Sequence, residues 1–268
     1  DYTDGVLSIS NGQFTLIDRA EEARYEPLIA RDATLSLEDN IILANAVLRA
    51  PKNEREVSKV TIQHNLNSGT GFADLDVDGL TFNEGLQPVE LTKLAKGVVA
   101  NVEGTVTGVG RIDWNAEDIT SFGRFSSESL DFAAVFGPVK GASGTVEFVD
   151  LLSLTTAVNQ RIKVASVNPG IEALDGEIGF SLRDGQFLGV TGGKWPFMGG
   201  TLTLRPVNLN LSAAERRRYV LEVEGLDSAL FIENMELGNL AATGLFDGEL
   251  PIVFDELGFG QIEGGKLE

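Results

Sequence analysis

The residues best placed to do chemistry are acidic. Asp74-Leu75-Asp76-Val77-Asp78-Gly79 matches the opening of a calcium-binding loop, whose alternating carboxylates would wrap a hard cation in oxygen ligands. Such a loop needs a bidentate Glu at its twelfth position, where this chain has Gly85 with Glu84 one place early, and no amphipathic helix flanks either end. The run therefore reads as a strand, with Leu75 and Val77 on its dry face and the aspartates on its wet one. His64 is the only histidine and there is no cysteine, which excludes within this chain a His-based triad, a two-His metal site, thiol catalysis and disulfides. His64 shares an apolar face with Val60, Ile62 and Leu66, where a hydrogen-bonded structural role is expected. The close glycines from Gly104 to Gly110 lack the lysine and the strand-loop-helix context of a phosphate cradle, so they read as strand bulges. No catalytic residue, metal or cofactor is expected. A glycosidase would show aromatic sugar platforms, and 2 Trp and 3 Tyr are few for one.

Charge narrows the partners. With 21 Lys and Arg against 40 Asp and Glu, the net charge is −19, and the densest basic run is only Arg216-Arg217-Arg218. Nucleic acid is excluded because displacing its counterions needs a cationic stripe. The same acidity favours solubility and discourages adhesion to anionic headgroups. No stretch approaches the roughly 18 apolar residues of a membrane helix, Asn45 interrupting the longest at Ile41 to Leu48. A start at Asp1 with no signal peptide suggests a cut inside a longer protein.

The elements that must position these residues follow a period of two. From Val98 to Trp114 the even positions are apolar or glycine, including Val102, Val106, Ile112 and Trp114, while the odd positions are mostly polar. The alternation recurs in Leu35/Leu37, Leu75/Val77, Val146/Phe148, Ile178/Phe180/Leu182, Leu202/Leu204, Leu209/Leu211, Leu221/Val223 and Ile252/Phe254. Turn signals stand at Asn11-Gly12, Ser68-Gly69, Asp184-Gly185, Gly192-Gly193, Asp247-Gly248 and Gly264-Gly265. Short helices are expected over Pro88 to Lys96, over Asp227 to Leu237 and over Asp150 to Ala157. Glycine is frequent, at 31 residues where about 19 would be average. Trp195-Pro196-Phe197-Met198 places bulky apolar side chains in a loop, either plugging a core or forming a rim for a ligand or membrane. With no linker or compositional shift, residues 1–268 read as one domain of mainly β class: a long curved antiparallel sheet with a few short helices.

Several strings then resemble a known family. His64 through Phe82 (HNLNSGTGFADLDVDGLTF), Gly144 to Leu154, Val167 to Ile171, Trp195 to Leu202, Val223 to Asp227, Ala242 to Asp255 and Ile262 to Leu267 resemble, in order, the YdbH-like proteins of Gram-negative bacteria, and more distantly AsmA-like envelope proteins. The resemblance implies an open, taco-like β-groove and a periplasmic bridge moving phospholipids toward the outer membrane. It also implies that this chain is the C-terminal portion of an envelope protein, with a missing N-terminal helix as inner-membrane anchor and a small outer-membrane lipoprotein as partner through β-strand addition. A sheet with one apolar face must bury it against protein or against a ligand. The groove lining is expected from Ile62, Leu75, Val77, Val102, Val106, Phe148, Ile178, Phe180, Leu202, Leu204, Leu221, Val223, Ile252 and Phe254, with Trp195, Phe197 and Met198 as a loop or rim. Glycines such as Gly104, Gly108 and Gly110 would leave room for an acyl chain. The alternative is a closed sandwich or solenoid serving as an envelope scaffold, whose apolar faces are all matched by protein.

Overall fold

The computed structural model describes residues 2–3, 5–134, 137–168, 172–211, 216–234, 241–254 and 260–268. The strands in chain order are β1 (Tyr2–Thr3), β2 (Val6–Leu16), β3 (Leu28–Glu38), β4 (Ile41–Arg49), β5 (Glu56–Asn65), β6 (Gly71–Phe82), β7 (Val99–Trp114), β8 (Ile119–Ala134), β9 (Gly137–Asp150) and β10 (Thr155–Thr156). They continue with β11 (Gln160–Val167), β12 (Ala173–Arg183), β13 (Phe187–Phe197), β14 (Gly200–Leu204), β15 (Val207–Asn210), β16 (Arg217–Asp227), β17 (Leu245–Phe254), β18 (Gly260–Ile262) and β19 (Lys266–Leu267). These 19 strands belong to one antiparallel sheet. The single α-helix among the described residues is α1 (Ser228–Asn234).

The residues cluster into two compact units. Unit 1 comprises Asp1–Lys96, Ala100–Ser127 and Thr145–Ala157; unit 2 comprises Gly97–Val99, Glu128–Gly144 and Val158–Glu268.

In unit 1, β2 to β7 pair in sequence order, each with the next. Register places whole rows on one face: Ala44, Ile62, Ala73 and Ile112 stand opposite one another, as do Ala46, Val60, Leu75 and Gly110. The even positions of β7 point to this dry side and the exposed odd positions Asn101 to Val109 to water, as period two requires. The floor of the face is small, with Ala30, Ala33, Ala46, Leu48, Val60 and Ala73 buried and Leu28, Ile62, Leu75, Ile112 and Trp114 packed half-buried against them.

In unit 2, β11, β12 and β13 pair in order, and β13 is then met by β14 along one half and β15 along the other. β14 pairs with β16, β16 with β17, and β17 with the short β18 and β19. One row reads Ile162, Ile178, Gly193, Leu204, Leu221, Leu250. The core on this side is larger and drier, with Leu202, Val223, Leu226 and Ile252 almost wholly buried.

Only half of the expected turn signals turn the chain. Ser68-Gly69, Asp184-Gly185 and Gly264-Gly265 lie between strands, whereas Asn11-Gly12, Gly192-Gly193 and Asp247-Gly248 lie inside β2, β13 and β17. Asn11 takes φ +56 where the β2–β3 register shifts, so this pair makes a bulge and not a hairpin. Two hairpins instead use Asp39-Asn40 (φ +48 and +64) and Met198-Gly199 (φ +44 and +80), two-residue loops whose positive φ values match the twist of the flanking strands. Of the three expected helices, one is α-helical, one is 3-10 and one is absent. Pro88 to Lys96 forms two 3-10 turns, Pro88–Glu90 and Lys93–Ala95. Residues 151–154 are a turn, with Thr155–Thr156 in β10: the Asp150 carboxylate accepts from the Leu152 and Ser153 backbone N–H groups as it would at a helix start, but the chain then pairs back onto β9, Thr155 opposite Asp150 and Thr156 opposite Phe148, and no helix follows. The third helix is α1: Asp227 caps it by accepting from the backbone N–H of Ala229 (2.8 Å) and Leu230 (3.2 Å), and Met235 to Leu237 fall outside the described residues.

Candidate functional site

The acidic run proves to be the wet side of β6. Arg111 Nη1 donates to Asp74 at 2.9 Å, Lys59 pairs with Asp78, and Leu75 and Val77 face the core side. His64 accepts a hydrogen bond on Nδ1 from Trp114 Nε1 at 3.1 Å, with the rings 6.0 Å apart. Both residues are thereby committed to each other.

The apolar faces are the remaining candidate. In unit 1 the expected lining residues Ile62, Leu75, Val77, Val102 and Val106 share the dry face, and Phe148 lies edge-on to Phe125 at 6.0 Å. Val77 and Val102 are buried, while Ile62, Leu75, Val106 and Phe148 keep part of their surface accessible. The room expected above the glycines is taken by protein: a Cβ on Gly108 would lie 2.6 Å from Phe125 Cδ1, and one on Gly110 would lie 2.9 Å from Leu151 Cδ2. These two glycines admit the chain's own side chains, which corrects the expectation of free space at that point. Gly104, at φ +133, has a backbone that L side chains rarely adopt.

In unit 2, Ile178, Leu202, Leu221, Val223, Ile252 and Phe254 are buried, and Phe180 and Leu204 are half-buried. Trp195 and Phe197 stand in β13 and not in a loop; only Met198, with Gly199, forms the turn to β14. Trp195 is 3% exposed. Its indole lies flat across the sheet, because a Cβ on Gly176 or Gly193 would come within 2.0 or 2.3 Å of the ring. Between these elements is a cavity of about 50 Å³ lined by Ile178, Leu202, Leu204, Leu221, Ile252 and Trp195, with Val167, Ala173, Val190 and Tyr219 completing the wall. Burial pushes the Tyr219 hydroxyl up to about 12 against the opposing pull of Arg217.

Sequence reasoning missed two parts of this surface. Leu7, Ile9, Phe14 and Leu16 of β2 are exposed, and Leu7 and Ile9 lie opposite Leu37 and Leu35 of β3. Their alternation changes phase across the Asn11 bulge, which hides it from a fixed period. Tyr219 follows the three arginines and carried no signal beyond its position in β16.

The chain matches, over residues 2–268, the family model described as YdbH-like, intermembrane phospholipid transport protein YdbH. No curated protein and no solved structure matches it.

Proposed function

We propose a lipid-conducting role on the premise that this chain belongs to the YdbH-like family, a family of intermembrane phospholipid transport proteins and not of enzymes. On this reading each unit shields acyl chains on the apolar face of its own part of the sheet. The observation that carries the proposal is the pattern of partial cover: Ile62, Leu75, Val106 and Phe148 in unit 1, and Phe180 and Leu204 in unit 2, present apolar surface left accessible beside fully buried neighbours. The half-buried residues would touch the tail, and the buried Val77, Val102, Ile178, Leu202, Leu221, Val223, Ile252 and Phe254 would form the floor beneath it.

A tail of about 16 carbons gains roughly 0.8 kcal/mol per buried methylene, on the order of 12 kcal/mol gross. Its membrane of origin supplies the same burial, so transfer is nearly neutral and the protein's task is to lower the barrier of crossing water. A uniform apolar lining suits sliding. Trp195, Phe197 and Met198 would edge this path from β13 and its turn.

The site of action would be the periplasm. No helix among the described residues is long and apolar enough to cross a membrane, and inner-membrane attachment would use a helix outside these 268 residues. A small outer-membrane lipoprotein would add a strand beside β18 and β19, whose three and two residues cover little of the edge of β17.

A passive envelope scaffold is the second reading, favoured by the closely covered core of unit 2. Its cavity of about 50 Å³ is about a third of the ~150 Å³ of an engineered cavity that takes benzene. Native mass spectrometry of protein secreted to a Gram-negative periplasm separates the two. Co-purified phospholipid is the result expected of a conduit; a lipid-free mass under the same gentle conditions selects the scaffold.

A further inference from the structure

Within unit 1, the connection from β2 to β3, residues 17–27, is tied to the turn that follows β9. Tyr25 Oη shares its proton between the carbonyls of Leu151 (3.0 Å) and Leu152 (2.9 Å), and Arg24 Nη1 donates to Leu152 O at 3.4 Å. In the sheet β4 to β8 stand between β3 and β9, so this is a tie across strands and not between neighbours. The Leu151 side chain lies on the dry side, over two glycines. A Cβ on Gly110 would stand 2.9 Å from its Cδ2 and 3.5 Å from Leu75 Cδ1, and a Cβ on Gly123 would stand 3.2 Å from the same Cδ2. The turn is strained and only half-buried. Leu154 takes φ +52, a left-handed conformation costly for a leucine, and strain of this kind collects at segments that switch. The strap opposite it is lightly built as well, with Arg19 to Glu22 exposed, which places it among the parts of a fold that open most readily.

We propose that Tyr25 is a latch and Leu151 a gate on the dry face of unit 1: Leu151 fills the space over Gly110 and Gly123 while the latch holds, and a lipid tail takes that place when the turn swings away. The inference rests on the lipid-carrying reading above and deepens it by naming where a tail is admitted. A leucine side chain and a short run of methylenes are chemically alike, so the exchange replaces one apolar cover with another over Leu75 and the glycines. Glycine suits both occupants because its bare backbone leaves the space to whichever is seated there. Burial pushes the Tyr25 hydroxyl up to about 12, so the latch keeps the proton it donates at physiological pH. A single hydrogen bond of this kind adds little net stability, because both partners find water once parted. That is the strength required of a latch that opens in use.

A photo-crosslinking residue at Leu75, beside Leu151, reads the gate when the purified protein is mixed with vesicles of dioleoyl phosphatidylcholine and irradiated. The same residue at Phe180, in unit 2, reports lipid carriage apart from the gate. Tyr25→Phe keeps the ring and removes the tie, and capture at Leu75 should rise about three- to tenfold, the scale of one hydrogen bond, with capture at Phe180 unchanged. Leu151→Ala should raise capture at Leu75 in the same direction by emptying the space outright. Without lipid, hydrogen exchange at the Leu152 and Ser153 amides should quicken in Tyr25→Phe by a similar factor, while circular dichroism shows the sheet intact. Capture at Leu75 that does not rise in Tyr25→Phe, with Phe180 still capturing, overturns the gate alone. Absence of capture at both positions in every variant overturns the lipid-carrying reading with it.

Discussion

Single side chains in this protein are placed by what lies beneath them. Trp195 fits because Gly176 and Gly193 offer bare backbone, so Gly176→Ala should cost about 1–3 kcal/mol by overpacking and move the Trp195 emission, both read in one urea titration followed by fluorescence. An unchanged midpoint would mean that the indole is not seated there. Asp150 illustrates the opposite balance: burial raises its pKa, but hydrogen bonds from Ser121 and Ser153 hydroxyls and from the Ser153 and Leu152 backbone outweigh it and hold the carboxyl below its ordinary value. Its contribution to stability is full above the unfolded value of about 3.8 and is lost as pH falls through the lower folded one. Ser121→Ala should remove about 1–3 kcal/mol at neutral pH and flatten that acid limb. At the other extreme, burial raises the hydroxyls of Tyr25 and Tyr219 to about 12. The native state holds those protons longer than the unfolded chain, so the stability they add is complete below about pH 10 and lost as pH rises toward 12. A spectrophotometric titration should show both tyrosines ionising only as the protein unfolds in alkali. The sequence placed Trp195 as a bulky residue near a turn, but the glycines that receive it lie in β12 and β13, one of them 19 positions away. Such seats depend on register, which the order of residue types does not contain.

At the scale of elements, period two was the readable signal. The even face of β7 is as expected, Val102 at 2% exposed standing in the same row of alternate positions as the half-buried Val106. That difference predicts opposite outcomes for one substitution: Val102→Asp buries an unpaired charge and should prevent folding, while Val106→Asp should leave a folded protein with reduced lipid occupancy. Circular dichroism and co-purified lipid read the two effects separately, and equal damage at both sites would contradict the assigned burial. The turns were less legible, since Gly-containing pairs serve equally as hairpin loops and as bulges. Asn11-Gly12 and Asp39-Asn40 have the same local appetite for positive φ, and the choice between bulge and turn was made by whether the flanking strands pair with each other or with a third. The expected helix in the 150s is a turn because Thr155 and Thr156 pair back onto β9, a pairing that neither apolar spacing nor the cap-like hydrogen bonds of Asp150 reveal.

For the molecule as a whole, charge is the property most fully given by composition. A net charge of −19 opposes compaction, and the ion pairs on the surface, such as Arg31–Glu54 and Arg161–Glu177, are exposed and contribute little. Added salt should therefore raise the thermal midpoint between low and physiological ionic strength, and a fall would mean that the ion pairs outweigh the repulsion. Fold class and family were legible because an alternating sheet and a set of uncommon strings survive without coordinates. Which apolar residues retain accessible surface was not legible, because period two fixes sides and not cover. That distinction is also where the proposed function is most exposed to test. Photo-crosslinking residues installed one at a time at Ile62, Val106 and Phe180, at the buried Val223 and at the water-facing Thr107 should, on irradiation in cells, capture phospholipid at the first three and none at the last two. Capture at none of the half-buried positions, or equal capture at Thr107, would contradict the conduit.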